Sequence, residues 1–92
     1  MDESAKLELL KLDLQRTGTA LDALLIHYLN VAKERIAEKG ITLAGTPGDD
    51  GLQISYAAHL YRNRQNPEAE LPKSLAHDLL DRLWSEKGRV EE

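Results

Sequence analysis

Residues 50–65, "DGLQISYAAHLYRNRQ", limit the folds open to this chain more than any other stretch. Read as a helix, they spread Leu52, Ile54, Tyr56, Ala57, Ala58, Leu60 and Tyr61 across roughly 240° of the circumference. Only Ser55, His59, Arg62 and Asn63 form a continuous polar strip. Gln53 and Arg64 interrupt the apolar side near its two ends, where long side chains reach water. A helix apolar over so much of its surface is covered on two sides. In a chain of 92 residues, it is either the centre of a small bundle or a helix that also meets another molecule.

The flanking segments supply its neighbours. "ALDALLIHYLNVAKERIAEKG" places Leu21, Leu24, Leu25, Tyr28, Leu29, Ala32 and Ile36 on a stripe roughly 140° wide. Thr19 with Asp22 reads as a capping box with a shorter acid, and Gly40 as the C-terminal stop. Ile26 does not fit, pointing into the polar face among Asn30 and Lys33. It is either an isolated exposed isoleucine or a contact for a partner. "SAKLELLKLDL" reads as a short helix capped by Ser4, with Leu7, Leu10 and Leu14 on one face and Leu9 and Leu12 elsewhere.

A last helix begins near Pro72, a residue suited to a first helical position. In "KSLAHDLLDRLWSEKG", Leu75, Ala76, Leu79, Leu80, Leu83 and Trp84 share one side, while His77, Asp78, Asp81 and Ser85 face away. Gly88 and the tail "RVEE" read as a frayed end. Only "ITLAGTPGDDG" has a loop signature, with Ile41–Ala44 as a short strand or extended arm and "TPGDDG" as turn chemistry. It has neither the ending of a phosphate-binding loop nor the spacing of a calcium loop. It exceeds what joining two adjacent helices requires, which brings Thr46, Asp49 and Asp50 into view as contact residues. The expected architecture is all-α: one domain over residues 1–92, a compact bundle of three main helices plus a short N-terminal one, with a long loop between the second and third.

Composition narrows the function classes. There is no cysteine, so disulfide scaffolds, thiol catalysis and cysteine-bound zinc fall away. The formal net charge of −4 is the reverse of the basic surplus with which free-standing nucleic-acid binders neutralise phosphates. No apolar run is long enough to span a bilayer, and "MDESAKLELL" is too acidic and polar for a signal peptide, so a soluble intracellular protein is expected.

No constellation carries chemistry. His27, His59 and His77 do not pair at i+3 or i+4, so no local metal motif arises. His77 with Asp81 reads as a solvated helix contact, and Ser55 with His59 lacks the elbow that sharpens a nucleophilic serine. The expectation is a non-enzyme without metal or cofactor. Arg62 and Arg64 leave two readings open. As cations near a helix C-terminus they bind free carbonyls; as planar forks able to stack on tyrosine they suit a contact between subunits.

Taken together, "LLKLDL", "LDALLIHYLNVAKERIAEKGI" and "SYAAHLYRNRQNPEAELPKSLAHDLLDRLW" resemble the small head–tail connector (adaptor) proteins of tailed bacteriophages. The "LYRNR" stretch, a short loop and "LP" before the last helix are the most specific part, and the likeness spans about residues 7–87. Tyr61, Arg62, Asn63 and Arg64 match the family's distinctive segment, and Leu71 with Pro72 the start of its final helix. The resemblance implies a structural virion protein, assembled in the host cytoplasm as a ring, typically of twelve copies, under the portal. It implies the portal protein and the next neck or tail component as partners, with DNA passing through the channel without sequence-specific binding. An acidic lumen would let the duplex slide, and the "TLAGTPGDD" loop, residues 42–50, would order on docking or line the channel. Tyr61 is then a core residue, and Ile26, Thr46, Asp49, Asp50, Arg62, Asn63 and Arg64 are the interface candidates. Two other classes stay open: a small protein-binding regulatory module using Ile26 and the acidic faces, and a DNA-binding helical domain using Arg62, Arg64, Lys73 and Arg82.

Overall fold

The computed structural model describes residues 2–66 and 68–90, with side chains described as far as Ser85. Among them the chain is all-helical: α1 (Glu3–Asp13), α2 (Asp22–Glu38), α3 (Pro47–Arg62) and α4 (Lys73–Val90). The body measures 47 × 29 × 18 Å. α3 lies at its centre and packs against all three other helices, while α1 also packs on α2. The fully buried Leu10, Leu25, Leu29 and Ile36 anchor a core that α3 completes with Leu52, Ile54, Tyr56, Ala57, Ala58 and Tyr61. Of the two explanations for a helix apolar nearly all round, the structure has the central helix. α1, α2 and α4 supply its cover.

Helix starts differ from the sequence reading for local reasons. Asp2, not Ser4, caps α1, its carboxylate accepting the Ala5 N–H at 2.8 Å. α2 starts without a side-chain cap. Thr19 accepts the Asp22 N–H through its carbonyl at 3.2 Å, and the Asp22 carboxylate lies 3.0 Å from Lys11, tying α2 to α1. α1 stops before Gly18, with Gln15 already in the left-handed region at φ 56°. Gly40 ends α2 as expected, at φ 88°.

The long 41–51 loop is the main correction. Helix α3 begins at Pro47, with Thr46 as its cap accepting the Asp49 N–H at 3.2 Å. Proline at the first helical position and acids in the first turn favour a helix start as strongly as proline, glycine and aspartate favour a turn. The connection that remains is short, and Ile41 within it is buried against the core. α4 starts at Lys73, with the Pro72 carbonyl accepting the Ala76 N–H at 2.9 Å. Gly88 lies inside α4; Pro67, Glu91 and Glu92 lie outside the described residues.

Candidate functional site

Six of the seven interface candidates fall into two groups at opposite ends of α3, and Ile26 lies on α2. At its N-terminal end, Asp49 is buried and fully engaged. Its Oδ1 accepts from Arg82 Nε at 2.9 Å, and its Oδ2 from the Ala44 N–H at 2.6 Å. Arg82 Nη2 lies 3.3 Å from the same Oδ2 and donates to the Thr42 carbonyl at 3.0 Å. The Arg82 hydrogen bond holds the Asp49 carboxyl below its ordinary range, against the opposing effect of burial and with help from the Ala44 N–H. Asp50, also buried, lies 3.7 Å from Lys6 Nζ. Lys6 donates to Gln53 Oε1 at 2.8 Å, and Gln53 Nε2 donates to the Leu29 carbonyl at 2.9 Å. Gln53 therefore does not reach water as its position suggested; it is buried and links α1, α3 and α2. Asp49 thus ties α3 to α4, Asp50 lies beside Lys6 of α1, and Thr46 caps α3 itself.

At the C-terminal end, Asn63 Nδ2 donates to the His59 carbonyl at 2.9 Å and lies 3.2 Å from His59 Nδ1. His59, placed by the sequence on the polar strip, is buried. Arg64 donates to the Tyr61 carbonyl at 2.7 Å, and its guanidinium carbon sits 4.3 Å from the Tyr61 ring centroid. Arg62 donates to the Asp13 carbonyl at 3.0 Å and lies 3.3 Å from the Asp13 carboxylate. Both arginines thus satisfy carbonyls at helix ends, which have no partner within their own helix. Tyr61 is buried as expected and meets Tyr28 edge-on at 6.2 Å. Ile26 is not in the polar face: it is half-buried and packed on the core. Because α2 meets both α1 and α3, its buried arc is wider than its leucine stripe.

Several grooves cross the surface. One of about 640 Å³ runs between the start of α3 and α4 past Thr46, Ser55, Asp78, Asp81 and Ser85. A second of about 430 Å³ lies between α2 and α3, with Arg35, Lys39 and Arg64 as the charged side chains lining it. There burial raises the Tyr56 phenol above its ordinary pKa, with Arg35 opposing and Glu38 adding to the rise. A third of about 330 Å³ is apolar, formed by Ile41, Leu71, Ala76, Leu79, Leu80 and Leu83 with Lys39 at its edge. Among the described residues no three acidic or histidine side chains gather as a metal site would require. No helix described is long and apolar enough to cross a membrane.

The feature that sequence reasoning missed is the exposed side of α4. Leu75 and Leu79 are buried, but Leu80 is 49 % exposed and Trp84 63 %. The signal was present. Leu75 to Trp84 cover an arc of about 180°, wider than a helix with one main neighbour can bury. No protein-family model, curated protein or solved structure matches this chain.

Proposed function

We propose that this chain is a structural assembly protein, one copy of a ring that joins a phage portal to the next neck component and extends the DNA channel. The observation that carries the reading is the exposed apolar side of α4, Leu80 and Trp84 beside the Leu71–Leu83 groove. Large apolar side chains gathered on one face mark surfaces that other proteins cover. The resemblance of "LYRNR" and "LP" to head–tail connectors supplies the kind of assembly.

The contact surface in this reading differs from the one the sequence suggested. Arg62 and Arg64 already spend donors inside the chain, and α3 is covered by α1, α2 and α4. Neither needs a neighbour. α4 takes their place as the interface element, and the net charge of −4 keeps the protein from adhering to the duplex that passes. The test is co-expression with the portal protein of the same genome, purification and electron-microscope imaging. A closed ring of extra density on the portal's exit face is expected. A chain that stays monomeric at high concentration and leaves the portal bare would overturn the reading.

A further inference from the structure

We propose that successive copies join head to tail, the exposed face of α1 in one copy seating on the exposed face of α4 in the next. The inference rests on the assembly reading above and names its interface. α4 is not the only helix with apolar side chains in water: Leu9 is 42 % and Leu12 72 % exposed on α1. The two faces belong to different helices. α1 packs on α2 and α3 through Leu7 and Leu10, and α4 on α3 through Leu75 and Leu79.

Charge selects which face meets which. Glu8 and Asp13, both exposed, lie within about 40° of Leu12 and Leu9 around α1, and exposed Asp2 caps the same helix. Asp13 also pairs with Arg62, 3.3 Å away, which leaves Glu8 and Asp2 as the remaining carboxylates of this border. The α4 face has the opposite border. Lys39 lines the apolar groove beside Leu80, and exposed Lys73 lies within about 20° of Trp84 around the helix; Asp81 stands farther round. His77, which the sequence reading set on the opposite side, falls on this border as well and adds no formal charge. Pairing α4 with α4 would set lysines against lysines, and pairing α1 with α1 would set carboxylates against carboxylates. Pairing α1 with α4 brings the apolar side chains together inside an acidic and a basic border. Such a contact is heterologous. Repeated by rotation it closes into a ring, and otherwise it runs on as a filament.

The chain has no cysteine, so Leu12→Cys and Trp84→Cys each introduce a single thiol at an exposed position. The two single variants, mixed and treated with a short thiol cross-linker, are expected to give a dimer linking position 12 of one copy to position 84 of another. Each variant alone is expected to give little. Dimers of Trp84→Cys alone in comparable yield would show a symmetric contact and overturn the proposal. An assembly that forms by sedimentation but gives no 12–84 product would overturn it too, while leaving the ring reading standing. Absence of any assembly, alone or with the portal, would remove both. Independently, Leu12→Glu and Trp84→Lys are each expected to weaken self-association by at least about tenfold, with the helical circular dichroism unchanged. Wild-type assembly by either variant would count against the pairing.

Discussion

Two helices of this chain look alike in sequence and behave differently in the fold. α3 and α4 both carry apolar residues over half or more of their circumference. Yet α3 buries ten residues, among them Asp49, Asp50, Gln53 and His59, whereas among the described side chains of α4 only Leu75 and Leu79 are buried. The difference lies in the neighbours. α3 has α1, α2 and α4 around it, while α4 has α3 as its main support. An apolar arc states what a helix can bury; the number of helices packed around it decides what it does bury. The surplus on α4, Leu80 and Trp84, stays exposed. The surplus on α3 is spent on the fold, including polar groups that burial would penalise if they lacked the partners they have.

Two aromatic residues give the sharpest way to break that comparison. Tyr56 on α3 is buried, and Tyr56→Ala is expected to cost about 3–5 kcal/mol, as loss of large buried aromatics does. In a domain this small that approaches the whole stability, so the urea midpoint should collapse. A loss no greater than that of Trp84→Ala would mean that the two helices are equally peripheral.

The polar fastening at the start of α3 comes next. Asp49→Asn removes the charge that holds Arg82 and is expected to cost about 1.5–3 kcal/mol, the range for hydrogen bonds to a charged group. The same carboxylate sets a pH dependence. Its folded pKa lies below its ordinary value of 3.8, so the folded state binds its proton less readily than the unfolded chain. The stabilisation is therefore present above about pH 3.8 and disappears as pH falls through the folded value. Urea midpoints measured from pH 6 down to pH 2 should fall less steeply in Asp49→Asn than in the wild type. Parallel acid limbs would remove Asp49 as a source of acid sensitivity.

How far the sequence reached follows from the same contrast. Helix number and the burial of Tyr61 were legible, because periodicity reports which side chains cluster; the apolar circumference of α3 left open whether it is a central helix or one that also meets another molecule. Gly40 was legible because its positive φ suits glycine. The start of α3 was not, since "TPGDDG" satisfies the rules for a turn and for a helix N-terminus alike, and the choice depends on Arg82, Ala44 and Lys6 arriving from elsewhere. For the same reason Gln53 read as a surface residue: the carbonyl it meets is Leu29, 24 positions away. Among the candidate residues, sequence chemistry left Arg62 and Arg64 between two readings. The geometry gives both of them intramolecular carbonyls.

The arginine result makes a smaller prediction. The Arg62 side chain is 55 % exposed and its partner Asp13 47 %, so solvent screens the pair. Arg62→Ala is expected to cost about 0.2–1 kcal/mol, less at high salt, and to leave self-association unchanged. Loss of assembly in this variant with stability intact would return the interface to the end of α3.

The smallest effect on stability is expected where the effect on assembly is largest. Trp84 is 63 % exposed, so in the isolated chain its removal leaves little cavity. Surface substitutions of this kind change stability by no more than about 0.5 kcal/mol, and Trp84→Ser should leave the urea midpoint of the monomer where it was. Measured at concentrations high enough for self-association, the wild-type midpoint should rise with protein concentration, because assembly binds the folded state alone. The Trp84→Ser midpoint should not. A concentration-dependent rise of equal size in both proteins would place the contact elsewhere than α4. A large drop in the dilute midpoint would show instead that Trp84 supports the fold, and the contrast between α3 and α4 would narrow to one of degree.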